Sequence, residues 1–253
     1  MLILLPPSET KRVGGTRAPL ALAGLALPAL TPQREAVIDA LVALSSDEDH
    51  AARVLKLGST QRHEVAANAR LRDSATMPAV DRYTGVLYDA LDAASLDASG
   101  RRWLAHHVMI HSAPFGPIGA MDRIPTYRLG ASAAVPGIPA LRKVWADAVT
   151  TAFAAAFATA QADFVLDLRS EAYVGLGPLP PSVRSAYVRV VSESADGVAR
   201  ALNHFNKHAK GALVRRLAVE RPRIGSLAGL LRWADAAGII LRPGVRGELD
   251  LVV

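Results

Sequence analysis

Leu2-Ile3-Leu4-Leu5-Pro6-Pro7-Ser8-Glu9-Thr10-Lys11-Arg12 opens with four apolar residues and then turns polar without transition. The apolar run reads as a short buried strand. Pro6 and Pro7 stop it, because neither can donate a ladder hydrogen bond. A hydroxyl, a carboxylate, a second hydroxyl and two cations follow at once. A polar cluster at the end of a buried strand is where α/β proteins place ligand contacts; the same composition also suits a solvated loop.

Three later stretches repeat the pattern. His107-Val108-Met109-Ile110-His111 reads as a strand running into Ser112-Ala113-Pro114-Phe115-Gly116-Pro117. Asp163 to Leu168 reads as a strand running into Arg169-Ser170-Glu171-Ala172-Tyr173. Asn206-Lys207-His208-Ala209-Lys210-Gly211 leads into a helix over Ala212 to Val219. If neighbouring strands deliver these junctions to one sheet edge, they line a pocket. It would hold carboxylates (Glu9, Asp167, Glu171), cations (Lys11, Arg169, Lys207, Lys210) and hydroxyls (Ser8, Ser112, Ser170). Crowded opposite charges can hold a lysine ready as a nucleophile or acid–base group, or form an inert ion-pair network.

Between the junctions the chain reads mostly as helix. Val13 to Leu30 suggests an ordered surface loop. Thr31 as N-cap with Pro32 at the first position starts a helix whose apolar face is Val37, Ile38, Leu41, Val42 and Leu44. Ser46 to Leu55 and Glu64 to Leu71 suggest two more helices, and Asp81 to Leu91 another, opened by Tyr83-Thr84-Gly85. Pro139 to Ala158 is a long helix. Ala186 to Val191 and Val198 to Phe205 flank Asp196-Gly197, a hairpin signal. Ser226 caps a last helix that Gly238 ends, and Ile239 to Leu241 with Glu248 to Val253 form a closing hairpin around Pro243-Gly244. Strands scattered along the whole chain with helices between them predict one α/β domain over 1–253, a mixed β-sheet surrounded by helices.

Composition narrows the function classes. The chain has 253 residues, 51% of them hydrophobic, enough for a sizeable core. The absence of cysteine excludes disulfides, thiolate metal sites and cysteine nucleophiles. The formal charge of +6 permits an anionic partner, and a solvated basic face is the commoner explanation of such a balance. The apolar run from Ala18 to Leu30 is broken by Pro19, Gly24 and Pro28, too short to span a membrane, and preceded by a strand, unlike a signal peptide. The expected location is cytoplasmic. No phosphate-loop, dinucleotide or nucleophile-elbow motif occurs. His106-His107 adjoin at a strand start and point to opposite faces, and His204 and His208 lack a third ligand, so no metal site and no cofactor is expected. Lys207, Lys210, Arg215 and Arg216 could line one side of a helix and suit a phosphate backbone.

These elements carry a family resemblance. The strand followed by P-P-S-E-T-K-R resembles the YaaA family of peroxide-stress proteins, in the branch that begins L-P-P-S-E-T-K. Tyr83-Thr84-Gly85 is similar to the family's Y-T-G element. Ser112 with Phe115-Gly116, then Asp122, Pro125, Tyr127, Arg128 and Leu129, resembles its L-S-G-x-Y-G…D…P-Y-R-L block. Trp145 and Asp147 resemble F-W-G-D, and Ser170, Glu171 and Tyr173 its S-x-E-Y pattern. Lys207, Lys210 and Gly211 resemble A-K-x-A-R-G, and Gly247-Glu248-Leu249 fits its close. Pro114, Ala146 and Lys210 depart from the pattern.

The resemblance implies a single α/β domain with a positively charged cleft, associated with DNA binding and protection against peroxide and iron stress. It also implies a helix-hairpin-helix-like element, assigned to the helices between Thr31 and Leu71 joined near Leu57-Gly58-Ser59. Two functions follow. One is a stress protein that binds DNA through phosphates, using Lys207, Lys210, Arg215 and Arg216. The other is a cofactor-independent enzyme acting on a small polar or nucleobase-like substrate. In it Lys11 is nucleophile or electrostatic stabiliser, Glu9 or Glu171 the acid–base group, and Ser8, Thr10, Tyr83, Thr84, Ser112, Tyr127, Arg128, Arg169 and Ser170 the substrate ligands.

Overall fold

Leu2–Leu5 forms β1, with Ile3, Leu4 and Leu5 all but inaccessible to solvent. Its burial on both faces fits an all-apolar run in a parallel sheet. The computed structural model describes residues 1–16, 18–159, 164–193, 199–201, 203–245 and 248–253. After β1 two 3-10 turns (Leu22–Gly24 and Pro28–Leu30) lead into α1 (Thr31–Leu44), α2 (Glu48–Val54) and α3 (Glu64–Ala69). Then come β2 (Met77–Pro78), α4 (Ala79–Arg82), α5 (Val86–Leu91), α6 (Ala98–His107), β3 (Val108–Ser112), β4 (Gly116–Gly119) and β5 (Arg123–Ile124). The second half holds α7 (Leu141–Thr159), β6 (Val165–Asp167), α8 (Glu171–Leu176), β7 (Ser185–Glu193) and β8 (Ala199–Ala201). It ends with α9 (Asn203–Glu220), α10 (Leu227–Ala236), β9 (Leu241–Pro243) and β10 (Leu249–Val252).

The main sheet runs β4-β3-β1-β6-β7-β10-β9, with β8 added to β7. β3, β1, β6, β7 and β10 are parallel, and β4, β8 and β9 are antiparallel. It is a mixed sheet surrounded by helices, with one continuous core from Ile3 to Leu251. β1 lies between β3 and β6, in register Leu4 with Met109 and with Asp167. The carboxyl ends of these three strands therefore meet at one edge, and the loops that leave them start side by side.

Several expected elements differ. α1 begins one residue early, with Leu30 at the N-cap; the Thr31 hydroxyl donates back to Pro28 O instead of capping. The expected Asp81–Leu91 helix is two helices, α4 and α5. Tyr83 is extended between them, Gly85 sits at φ +92°, and the segment pairs with the chain after β1: Arg12 N donates to Arg82 O and Thr84 N to Thr10 O. A Cβ at Gly85 would lie 3.3 Å from Thr10 Oγ1 and 3.4 Å from Ser8 Oγ, so glycine serves both the positive φ and the close approach. His106 and His107 do not start a strand; they end α6, a helix that the spacing of apolar residues does not predict. α9 already begins at Asn203, inside the stretch expected to be strand. Asp163, the Asp196-Gly197 turn, Val198 and Gly247 lie outside the described residues.

Arg34, Arg82 and Arg169 are fully buried. Arg34 donates to Phe115 O, Ala26 O and Pro117 O, and Arg82 to Ile124 O, Arg12 O and Ala75 O. Each of these two guanidinium groups ties separate segments together through their backbone carbonyls. Burial lowers the pKa of both to about 10.

Candidate functional site

The loop after β1 folds Lys11 back over its own strand end. Lys11 Nζ donates to Ser8 O at 3.0 Å and to Glu9 O at 3.1 Å, and stands 4.0 Å from the centre of the Tyr127 ring. Its backbone bridges Tyr83. Tyr83 and Tyr127 share a hydrogen bond of 2.7 Å between hydroxyls, and Ser112 Oγ donates to Tyr127 OH at 3.1 Å. A lysine from the loop after β1, a serine from the end of β3 and two tyrosines thus form one unit. Burial lowers the Lys11 pKa to about 7, with Arg128 adding to the effect and Glu64 and Glu9 partly offsetting it. Burial raises the pKa of Tyr83, Tyr88, Tyr127 and Tyr173, so their hydroxyls stay protonated and able to donate.

The rim is polar. Ser8 Oγ and Thr10 Oγ1 lie 3.3 Å apart, and Thr10 Oγ1 donates to Thr84 O. Arg128 is fixed by its backbone, whose N–H and carbonyl both pair with the Asn68 amide; its guanidinium reaches Glu9 at 3.2 Å and Glu64 at 3.6 Å. Glu9 is otherwise exposed.

The neighbouring junction is built differently. Arg169 donates to both carboxylate oxygens of Asp167, to His111 Nδ1 and to Gly177 O. Because a guanidinium can only donate, His111 accepts at Nδ1 and carries its proton on Nε2, which is buried without a partner. Burial, then Arg169, holds His111 well below its ordinary pKa and therefore neutral. Arg169 has no exposed surface and acts as a fastener beneath the edge. Ser170 and Glu171 are exposed where α8 begins, and the Ser170 hydroxyl makes no capping bond.

On α9 the four basic residues separate. Lys207 is exposed. Lys210 is buried, 5.5 Å from the Tyr187 ring. Arg215 donates to Leu91 O and Asp92 O at the end of α5, and Arg216 pairs with Glu220. The structure therefore groups Ser8, Glu9, Thr10, Lys11, Tyr83, Thr84, Ser112, Tyr127 and Arg128, sets Ser170 and Glu171 on the adjacent loop, and engages Arg169, Arg215 and Arg216 elsewhere. Tyr88, whose hydroxyl donates to Pro6 O, and Tyr187 were not singled out in the sequence. The signal was there in the rarity of the residue: four of the five tyrosines form this cluster and the fifth stands beside Lys210. Among the described residues no group of three His, Asp or Glu side chains is placed to hold a metal ion.

A sequence model of the family described as peroxide stress protein YaaA matches residues 1–238. The chain belongs to the YaaA family. A UPF0246 protein of Corynebacterium efficiens is 43% identical over 260 residues, covering all of both chains. One from Corynebacterium glutamicum is 40% identical over 259 residues, again covering both chains in full. One from Streptomyces coelicolor is 43% identical over 220 residues, 86% of this chain and 82% of its own. The family match spans each junction at the sheet edge, from the Ser8–Lys11 loop to Lys210. No helix among the described residues is long and apolar enough to cross a membrane.

Proposed function

We propose that this YaaA-family protein acts in the peroxide-stress response, in the cytoplasm, as an enzyme on a small polar substrate bound at the carboxyl edge of β1, β3 and β6. Lys11 is its reactive amine. The observation that carries this is the packing of Lys11 Nζ 4.0 Å from Tyr127. There it lies beside three linked hydroxyls, with a pKa near 7, so that a large fraction is neutral and nucleophilic at physiological pH. Tyr127, Tyr83 and Ser112 supply donors for a developing oxyanion, and Arg128 supplies charge at the rim. Glu9 and Glu171, both exposed, are the groups within the two loops able to carry protons to solvent.

The test is Lys11→Met. In a strain lacking the protein it is expected to leave cells peroxide-sensitive, while Lys56→Met, an exposed lysine, restores resistance. Full rescue by folded Lys11→Met removes the assignment. The variant also has a pH signature. Between about 7 and 10.5 the unfolded chain keeps a proton on Lys11 that the folded chain has lost. Lys11 therefore makes stability rise with pH across that window and adds no slope below it. The urea midpoint of wild type should rise relative to that of Lys11→Met as pH goes from 7 to 10; a constant difference contradicts the shifted amine.

A second reading, duplex DNA binding through phosphates, is favoured by the formal charge of +6 and by the exposed Arg12 and Lys207. The basic face of α9 contributes less, because Arg215 and Arg216 are engaged. The α2–α3 region opens on Asp47, Glu48 and Asp49, and Arg62 there is paired with Glu48 and Asp49. If DNA is bound, affinity falls steeply with salt, and Lys207→Ala lowers the salt slope by about one. Binding absent at low salt ends this reading.

A further inference from the structure

We propose that Lys210 is a subsite for an anionic group, phosphate or carboxylate, on a small ligand bound beside Tyr187 and Asp167. This rests on the reading above that the strand edge binds a small substrate, and it assigns that substrate a negative charge.

Lys210 is 5% exposed. Its ammonium carries three donors, and among the described residues none has a hydrogen-bond acceptor; its neighbours are the face of Tyr187 at 5.5 Å and the charge of Asp167. Asp167 makes no hydrogen bond or ion pair with Lys210; both of its carboxylate oxygens are turned to Arg169. With Asp167 held by Arg169, Lys210 has no ion pair among the described residues, although its side chain is almost wholly covered.

The side chain is also held in place. Gly211 packs so closely on α5 that an added Cβ would lie 2.9 Å from Ala90 Cβ and nearer still to the Leu87 carbonyl. Arg215 donates to Leu91 O and Asp92 O, so α9 is fastened to α5 directly after Lys210 and again one turn on. Tyr187 is in register with Asp167, so Lys210 stands level with the end of β6, the strand next to β1. Burial lowers its pKa to about 8, partly offset by Asp167, as expected of a cation short of counter-charge.

The experiment is thermal unfolding of the full chain at constant ionic strength, with chloride replaced by inorganic phosphate or by acetate. Lys210→Met keeps the volume and removes the unpartnered charge, so it folds. Wild type is expected to gain stability saturably with one of the two anions, and the one that saturates at the lower concentration identifies the group. Lys210→Met should need about tenfold more anion or not respond, the loss of one charge-assisted contact. Lys56→Met, an exposed lysine just after α2, should respond as wild type. A wild type indifferent to both anions, or a Lys210→Met response equal to wild type, overturns the proposal; so does a short duplex that stabilises wild type as phosphate does and loses that effect in Lys210→Met. Lys11→Met should retain the anion response. If it loses that response while Lys210→Met keeps it, the anion binds at Lys11, and this proposal fails without touching the role of Lys11.

Discussion

Replacing Arg169 with methionine is expected to cost about 3–5 kcal/mol of stability, the range for stranding one member of a buried ion pair. Three acceptors lose their donor at once, Asp167 Oδ2, His111 Nδ1 and Gly177 O, while Asp167 Oδ1 keeps only the Arg169 backbone N–H. Asp167 is almost fully buried, so water cannot replace the guanidinium. The cost belongs mainly to the stranded carboxylate and not to the pair itself. Accordingly, Arg169→Met with Asp167→Leu should recover all but about 1–2 kcal/mol, a strong departure from additivity between neighbours. Urea denaturation of the two single variants and the double one measures this. A single-variant cost below about 1 kcal/mol would mean that Arg169 does not hold the edge together.

Arg169 also marks the boundary of what the sequence makes legible. β1, β3 and β6 could be read because a short apolar run that ends abruptly in polar residues is the pattern of a buried parallel strand, and parallel pairing then places their loops at one edge. The depth of each charge could not be read. Arg34, Arg82 and Arg169 count toward the +6 like any surface residue, yet all three are buried, because carbonyls from distant segments, or for Arg169 His111 and the carboxylate two residues before it, converge on them. Lys210 looks like its neighbour Lys207 until α9 is placed. The break at Tyr83-Thr84-Gly85 is hidden for the same reason: the apolar spacing is helical on both sides, and the extended backbone is imposed by pairing with Thr10 and Arg12. α6 escapes because Gly100 and its charged residues blur the period, whereas in the fold Gly100 lets the helix lie against Ala218 O.

Gly211→Ala should show how far the site depends on one helix contact. Alanine in the middle of α9 would gain about 1 kcal/mol of helix propensity over glycine. Against this, its methyl would fall inside the contact shell of the Leu87 carbonyl and 2.9 Å from Ala90 Cβ. The obstruction is backbone, which cannot rotate away, so the upper part of the overpacking range applies, about 3 kcal/mol, and a net loss of about 2 kcal/mol follows. Gly175→Ala, in α8 with nothing within 4 Å of the added atom, is the control and should be neutral or slightly stabilising. The consequence for the site is larger than the stability figure. Gly85, the N-cap of α5, lies against Ser8 and Thr10, and α9 carries Lys210; separating the two helices moves the Ser8–Lys11 loop and Lys210 relative to each other. Gly211→Ala is therefore expected to weaken the anion response of Lys210 and to impair peroxide resistance at temperatures where the protein remains folded. A variant that loses the predicted stability yet keeps both responses would show that the α5–α9 contact supports the fold without positioning the site.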